Sequence, residues 1–162
     1  MMYVIQCRTG RELVTGQVLT QLGYDIKIPE KYMFIRRAGE WKKERHLVFT
    51  GYIFLESGTI LSAEDYYKIK KADGVINFIG QGEPKTLTET ERQYINWLWN
   101  KAKPLEPSNI YVTREGQKMI LSGPLKKYRG DYVDINVRQR RAKVLISICG
   151  RAYKVTLPIK LL

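Results

Sequence analysis

The side chains that could do chemistry in this chain are cations concentrated towards its C-terminal end. Residues 114–162 hold twelve Lys and Arg residues against three Asp and Glu, a net charge of +9, whereas residues 1–113 carry only +3. Half of these cations fall in two short runs, Lys126-Lys127-Tyr128-Arg129 and Arg138-Gln139-Arg140-Arg141, with Lys143 just beyond the second. Ammonium and guanidinium groups in such runs bind phosphate oxygens, so the expected partner is a polyanion such as nucleic acid.

Two groups of residues are candidates for contact with nucleic acid. The first group is predicted to bind RNA backbone, with the Tyr128 ring as a stacking surface for a base, and contains Lys126, Lys127, Tyr128, Arg129, Arg138, Arg140, Arg141 and Lys143. The second group is predicted to lie on a turn around Trp41 and contains Arg36, Arg37, Lys42, Lys43 and Arg45. Basic loops without a ligand are the alternative for both groups, and DNA is a further candidate partner for the second.

No arrangement of side chains in the sequence predicts an enzyme. His46 is the only histidine, and a solvated position in a basic turn accounts for it. Cys7 and Cys149 each lie in an apolar run typical of a strand, so we expect reduced core thiols rather than a disulfide or a zinc site. The sequence has no Gly-rich loop ending in Lys-Ser or Lys-Thr. We therefore expect no catalytic residues, no cofactor and no metal.

The hydrophobic pattern predicts a soluble protein. No apolar stretch approaches the roughly 18 residues that cross a bilayer. The N-terminal segment is interpreted as a first strand rather than a signal peptide, because Arg8 follows so soon. We expect a cytoplasmic monomer with no membrane contact.

Hydrophobic periodicity predicts the order β-α-β-β-α-β-α over residues 1–103, which is an α/β sandwich. The strands are expected at 3–7, in an extended segment 25–37 bent at Pro29, at 47–55 and at 75–79. The strand at 47–55 is almost wholly apolar, so it should be covered on both faces. A turn is expected at Ala38-Gly39-Glu40.

Three helices are expected in the same part of the chain. The first, 11–22, should turn Val14, Val18, Leu19 and Leu22 towards the core and end at Gly23, with Gly16 marking close packing. The second should begin at the N-cap Ser62. The third follows the capping box of Thr88 and Glu91. Trp97 and Trp99 on this helix are expected to pack against protein rather than against bases.

The residue composition and hydrophobic pattern change between the two parts of the chain. Residues 104–113 contain Pro104 and Pro107 and are predicted to be a linker. Beyond them, short alternating strands split by glycines predict a small β-barrel over 114–162. The predicted fold class is α+β, an α/β sandwich followed by this barrel.

The basic segment also carries an ordered set of turn residues. In chain order these are Glu115-Gly116, Gly123-Pro124-Leu125, Gly130 and Ile148-Cys149-Gly150-Arg151. Gly123 and Gly130 are expected to adopt backbone conformations that a Cβ disfavours. The whole set resembles the KOW motif, and the resemblance implies an SH3-like β-barrel.

The N-terminal part resembles the NGN domain of the NusG family of transcription elongation factors. The resemblance is carried by Tyr3-Val4-Ile5-Gln6, Thr9-Gly10, Phe49-Thr50-Gly51-Tyr52-Ile53-Phe54 and Val75-Ile76-Asn77-Phe78-Ile79-Gly80. Thr50 stands where the family usually has proline. The matches imply an NGN domain over 1–103, a linker over 104–113 and a KOW domain over 114–162.

The family resemblance implies a binding site for RNA polymerase. NGN domains of this family bind the clamp helices of the largest polymerase subunit through an exposed apolar patch. Carried over to this chain, the patch centres on Phe49 and Tyr52, with Gly51 permitting close approach. The alternative is that both aromatic residues belong to the core.

The basic KOW segment is similar to that of the specialised LoaP subgroup, which implies an operon-specific antiterminator that recognises an RNA hairpin in the nascent leader transcript. Cys149 occupies the position of a phenylalanine that contacts a ribosomal protein in general members of the family. Two alternatives remain open. One is a general elongation factor whose KOW domain recruits a protein, and the other is a ribosomal or RNA-chaperone protein with a KOW barrel.

Overall fold

A computed structural model describes residues 1–80 and 82–162. The helices are α1 Glu12–Gln21, α2 Ala63–Lys70 and α3 Glu89–Trp99, with 3₁₀ turns at Asn100–Ala102 and Pro124–Lys127. The strands are β1 Met2–Cys7, β2 Asp25–Lys27, β3 Glu30–Arg37, β4 Glu40–Leu47, β5 Tyr52–Glu56, β6 Val75–Phe78, β7 Ser108–Val112, β8 Lys118–Ser122, β9 Val133–Asn136, β10 Arg141–Ile148 and β11 Arg151–Leu161. No helix in the described ranges is long and apolar enough to cross a membrane.

The chain divides into two compact units that are not continuous in sequence. Unit 1 comprises Met1–Ile28, Phe49–Ile95 and Ile148–Gly150. Unit 2 comprises Pro29–Val48, Asn96–Ser147 and Arg151–Leu162. The β3–β4 hairpin therefore belongs to the same unit as most of the basic C-terminal segment.

Unit 1 is built on a four-stranded sheet in the order β2-β5-β1-β6. Its two inner strands are antiparallel and place Val4 opposite Phe54. Val4, Ile53 and Phe54 have no exposed surface, so the prediction of a strand covered on both faces is confirmed for β5. The predicted start at residue 47 is wrong, because Gly51 has a φ of +79° and the strand begins only at Tyr52.

Helix α1 occupies the predicted segment, and of the residues expected in the core Leu19 is confirmed as buried, whereas Val14 and Leu22 are not. The buried residues are Glu12, Thr15, Gly16 and Leu19, whereas Val14 and Leu22 are 48% and 40% exposed. A Cβ on Gly16 would lie 2.5 Å from Ile28 Cδ1, which confirms close packing at this glycine. The small residues let the helix approach its sheet, so polar side chains rather than the valines face inward.

The predicted caps of two helices in unit 1 are confirmed, whereas the predicted burial of its outer strand is not. Thr88 Oγ1 accepts from Glu91 N at 3.2 Å, and Thr88 N donates to Glu91 Oε1 at 2.9 Å, so the capping box is confirmed. Ser62 Oγ likewise accepts from Asp65 N. The expectation of a buried strand at 75–79 is wrong, because β6 lies at the sheet edge and Ile76 is 52% exposed.

Unit 2 contains a curled five-stranded sheet in the order β8-β7-β11-β10-β9. Lys118 Nζ on one outer strand donates to Ile135 O on the other at 2.7 Å, so the two edges approach each other. Strand β7 runs parallel to β11, with Ser108 opposite Ile159. Strand β7 lies inside the segment that was predicted to be a linker. Ser108 and Ile110 are buried and give the strand a packed face. The nearby prolines had favoured a linker over a strand in the sequence.

The β3–β4 hairpin is the other layer of unit 2. The expectation that the cluster from Arg36 to Arg45 lies on a turn around Trp41 is wrong, because Glu40–Leu47 pair along their whole length with β3. Ala38 and Gly39 both have positive φ, and a two-residue turn of that kind lets the second strand start at once. Lys31 Nζ donates to Thr156 O at 2.6 Å, joining this hairpin to β11. Burial, and then the nearby Arg141 charge, lower the pKa of Lys31 to about 8.

We expect Ala38→Gly to stabilise the protein. Ala38 has a φ of +51°, a left-handed conformation that costs a residue with a Cβ about 1–2 kcal/mol. Glycine removes that cost but loses more entropy on folding, leaving a net gain of about 0.5–1 kcal/mol. Thermal unfolding should show a Tm about 1–4 °C higher. The same substitution at Ala152, on strand β11 without a positive φ, is the control and should lower Tm. A fall in Tm at Ala38 would contradict the account of this turn.

Candidate protein and nucleic-acid interfaces

The predicted polymerase-binding patch is only partly exposed. Phe49 is 7% exposed and packs edge-to-face on Phe54, with ring centroids 5.3 Å apart. The prediction that Phe49 lies at the centre of an exposed patch is therefore wrong, because its ring fills the core of unit 1. Tyr52 is half-buried and is the member of the pair that has a partly exposed side chain.

Gly51 is explained by the local backbone. Its N–H donates to Glu12 Oε2 at 3.0 Å, and its carbonyl accepts from Cys7 N at 2.9 Å. With φ at +79°, this residue turns the chain into β5 and lets the buried Glu12 carboxylate reach the backbone. Glycine at this position thus serves the fold of unit 1, whatever binds nearby.

Tyr128 is not available to stack on a base. It is 8% exposed, its hydroxyl donates to Leu145 O at 2.6 Å, and its ring stacks on Trp97 at 5.9 Å. Trp97 Nε1 in turn donates to Pro124 O at 3.0 Å, so the expectation that Trp97 packs against protein is confirmed. The sequence missed this arrangement because the partner tryptophan is distant along the chain.

The first basic run begins within the 3₁₀ turn Pro124–Lys127, which is anchored by buried Leu125. Lys126, Lys127 and Arg129 are all exposed. Lys126 Nζ donates to Ile120 O, and Arg129 Nη1 donates to Lys126 O. Gly123 has the expected positive φ of +99°. For Gly130 that expectation is wrong, because its φ is not positive. Glycine is needed there for space, because a Cβ would collide with the Tyr128 side chain.

The second basic run lies at the β9–β10 turn. Arg138 and Lys143 are exposed, while Arg140 and Arg141 are half-buried. Arg141 Nε is buried and has no hydrogen-bond partner within residues 1–80 and 82–162. The cations of this run and Lys143 beyond it therefore differ in exposure: Arg138 and Lys143 face solvent, whereas Arg140 and Arg141 are half-buried.

Arg140 connects the second basic run to the β3–β4 hairpin. Its guanidinium carbon lies 4.6 Å from the centroid of the Trp41 ring and 5.5 Å from that of Phe34. Its φ is +56°, a conformation that turns the chain back into β10. The structure thus brings together two basic clusters that are about 100 residues apart in sequence.

One face of the hairpin alternates aromatic rings with cations. Residues at every second cross-strand pair share this face, and each of these pairs unites a ring with a positive charge: Tyr32 with Arg45, Phe34 with Lys43 and Arg36 with Trp41. Lys43 Nζ lies 4.6 Å from the Tyr32 ring centroid, and Arg36 lies 5.9 Å from that of Trp41. We call these six residues the aromatic–cation face. Such a combination binds single-stranded nucleic acid, through ring stacking and phosphate contacts.

Acidic side chains partly neutralise the hairpin. The ion pairs are Arg37–Glu44 at 2.7 Å, Arg45–Glu30 at 2.6 Å and Lys43–Glu106 at 2.7 Å. Hydrogen bonds from Arg37 and His46 lower the pKa of Glu44 to about 2. His46 therefore sits on β4 beside a carboxylate, and its predicted place in a solvated turn is wrong. Exposed pairs of this kind are screened by solvent and contribute little to stability, so a phosphate can compete for the cations.

A cavity of about 550 Å³ opens beside Arg140 in unit 2. Its lining residues are Phe34, Lys43, Glu106, Pro107, Asn109, Arg140, Lys160 and Leu161. Glu106, Asn109 and Lys160 were not predicted as site residues, because nothing in their local sequence sets them apart from solvated residues. The parallel pairing of β7 with β11 brings these residues together.

The cysteine and acidic side chains of the described residues form no metal-binding cluster. Both cysteines are free, and burial raises the pKa of Cys7 to about 11. Cys7 is buried, as expected, whereas Cys149 is only half-buried. No group of three or more His, Cys, Asp and Glu residues among those described could hold a metal ion.

Comparison with known proteins places this chain in a family. Residues 2–96 match the family model described as transcription termination factor NusG. Similar proteins named transcription termination/antitermination protein NusG include one from Buchnera aphidicola, 24% identical over 96% of this chain and 91% of the relative. Another, from Vibrio parahaemolyticus, is 26% identical over 96% and 90%. A third, from Rickettsia felis, is 28% identical over 96% and 85%. Because the family model covers more than half of its residues, the chain belongs to the NusG family of transcription termination and antitermination factors.

Proposed function

We propose that this protein is an operon-specific antiterminator, of the LoaP type, that binds RNA polymerase and an RNA hairpin in the nascent leader transcript. The observation that carries the proposal is the clustering of cations and aromatic rings in unit 2. Arg140 of the β9–β10 turn contacts the aromatic–cation face, and residues 114–162 carry a net charge of +9. No chemical step is proposed; the protein acts by biasing polymerase states.

RNA fits this surface for two physical reasons. Arg138, Lys143, Lys126 and Lys127 are exposed and form no ion pair within the described residues, so they can neutralise backbone phosphates. The half-buried rings of the aromatic–cation face offer edges and faces to unpaired bases of a hairpin loop, where sequence-specific RNA recognition usually occurs. DNA near the transcribing polymerase would meet the same cations but fewer unpaired bases.

Polymerase binding is proposed for the NGN part of the chain. Tyr52 replaces the Phe49–Tyr52 pair as the central residue of the clamp-helix contact, because Phe49 is buried. A protein that holds polymerase with one segment and the transcript with another raises the effective concentration of each partner for the other. That coupling would keep the factor on one operon and let polymerase pass terminators there.

A general NusG factor whose KOW domain recruits a protein is the second candidate. The relatives reported above carry the general name, and the three are 24–28% identical to this chain over almost its whole length. Against this candidate stand the excess positive charge of residues 114–162 and Cys149 in the turn where general members have an aromatic residue.

Salt dependence of RNA binding tests the proposal. The full chain is mixed with a library of RNA hairpins that have a fixed ten-base-pair stem and a randomised loop, and bound RNAs are selected. If six or more cations contact phosphates, affinity for the selected hairpin should fall by about 10³-fold between 50 and 200 mM salt. A protein that selects no hairpin at moderate salt, yet binds the polymerase clamp helices, would establish the general-factor alternative instead.

A further inference from the structure

The cavity beside Arg140 has the size and lining of a site for one nucleotide. Its volume of about 550 Å³ lies within the range of small-ligand pockets. It is formed within unit 2 by the hairpin residues Phe34 and Lys43, the segment preceding β7, Arg140 and the end of β11. The site is distinct from the exposed cations that would follow an RNA backbone.

The charge of the lining selects an anion. Lys43, Arg140 and Lys160 face a single carboxylate, that of Glu106. Lys43 Nζ already bonds Glu106 Oε2 at 2.7 Å, so the net positive charge is carried by Arg140 and Lys160. Contacts of Arg140 with two rings hold its guanidinium in place, which lowers the entropy that binding would otherwise cost. A phosphate group satisfies both cations.

The apolar part of the lining suits a planar base. Phe34, Pro107 and Leu161 give the cavity a ring and two aliphatic surfaces. An unstacked base bound against an aromatic ring gains enough to offset its loss of stacking in RNA. An inorganic phosphate or sulfate would bind the cations but leave these apolar surfaces exposed to water.

Glu106 determines which bases fit. Its Oε2 receives the Lys43 bond, so Oε1 can accept a hydrogen bond from a base. Exocyclic amino groups of adenine, cytosine and guanine donate such a bond, whereas the only donor on the base edge of uracil, N3–H, lies between two carbonyl oxygens that repel a carboxylate. Asn109 adds a fixed polar group, because its Nδ2 donates to Ser122 Oγ at 2.8 Å.

We infer that this cavity binds a single unstacked nucleotide whose base carries an amino group. The inference rests on the proposed RNA-binding function for the source of the nucleotide, which would be one flipped-out base of the hairpin loop. The same chemistry could come from a free nucleotide, and the experiment separates the two sources.

The first arm of the experiment uses the hairpin selected from the randomised-loop library. Lys160→Ala is compared with Lys154→Ala, which removes the same charge from the same strand outside the cavity. Lys160→Ala should weaken binding about tenfold, and Lys154→Ala about threefold or less. Replacing each loop nucleotide in turn by an abasic residue should weaken binding by about tenfold or more at one position. In the Lys160→Ala variant, an abasic residue at that loop position should weaken RNA binding by a smaller factor than it does in the wild-type protein.

The base preference is tested by Glu106→Gln in the same selection. The wild-type protein should exclude uridine at the sensitive loop position. Glutamine offers both a donor and an acceptor, so Glu106→Gln should reduce the preference against uridine by about tenfold. An unchanged preference would overturn the role of Glu106.

The second arm uses the four nucleoside 5′-monophosphates at millimolar concentration. Chemical shifts of the Asn109 side-chain amide and the Leu161 backbone amide should move with AMP, CMP or GMP more than with UMP, and not in Lys160→Ala. If no hairpin binds but these shifts occur, the proposed function fails and the cavity is a site for a free nucleotide. If hairpins bind equally well to Lys160→Ala and Lys154→Ala, with no single sensitive loop position, the cavity proposal fails and the proposed function stands.

Discussion

Arg140→Gly should weaken hairpin binding by about 10–100-fold without unfolding the protein. Arg140 is the residue through which the β9–β10 turn contacts the aromatic–cation face, and its guanidinium lines the cavity. Losing charge-assisted hydrogen bonds to RNA costs about 1.5–3 kcal/mol, and tenfold in affinity corresponds to about 1.4 kcal/mol. Affinity for the selected hairpin is measured by filter binding at fixed salt.

Glycine is chosen so that loss of binding can be separated from loss of folding. Arg140 has a φ of +56°, so glycine brings a net gain of about 0.5–1 kcal/mol once its greater loss of entropy on folding is counted. That gain partly offsets the two lost cation–π contacts, each worth about 0.5–1 kcal/mol. Tm should therefore fall by no more than about 6 °C, and polymerase binding should be retained. A folded Arg140→Gly variant with full RNA affinity would show that the clustered hairpin and turn do not bind RNA.

Arg141 is a poor choice for the same test, although it belongs to the same run of the sequence. Its Nε is buried and lacks a hydrogen-bond partner in the described residues, and its charge lowers the pKa of Lys31. Replacing it would change the packing and electrostatics of unit 2 as well as any contact with RNA. A loss of affinity in Arg141→Ala could therefore not be assigned to binding.

Phe49→Ala should destabilise the protein strongly. The ring is 7% exposed and packs on Phe54, so its removal leaves a cavity in the core of unit 1. Substitutions of this kind cost about 3–5 kcal/mol, which lowers Tm by roughly 6–20 °C in a protein of this size. Thermal unfolding measures the loss, and Phe49→Leu, which keeps most of the apolar volume, should recover much of it.

Tyr52→Ala provides the contrast at the neighbouring aromatic residue. Tyr52 is half-buried, so its removal should cost less stability than that of Phe49. As the proposed centre of the clamp-helix contact, it should reduce binding to a clamp-helix fragment of polymerase by about 30-fold or more. The reverse pattern would contradict this division of roles: a stable Phe49→Ala variant that no longer binds the clamp helices would put Phe49 in the interface.

Local signals in the sequence predicted local structure well. The capping box at Thr88 and Glu91, the N-cap at Ser62 and the close packing at Gly16 are all present. Each depends on residues within a few positions of one another, or on the absence of a side chain. Errors arose where a strand's neighbours decide its exposure, as at Ile76 on the edge strand β6.

For the candidate site, the residues that the sequence could predict are clearly separated from those that it could not. Composition located the positive charge, and the spacing of the cations identified Arg138, Arg140 and the hairpin cluster as candidates for nucleic acid. The pattern could not show that Tyr128 is covered by Trp97, because burial depends on a contact with a distant residue. It also could not find Glu106, Asn109 and Lys160, whose common place in one cavity follows from strand pairing.

The amino-acid sequence by itself determined the class of the protein: helix ends, the alternation of strands, the excess of positive charge in 114–162 and the motifs that place the chain in the NusG family. Only the tertiary structure decided which aromatic residues are accessible and which cations share a surface. The physical reason is that charge and local propensity are properties of single residues and short segments. Burial and proximity arise when segments such as β4 and the β9–β10 turn, far apart in the chain, pack in one unit.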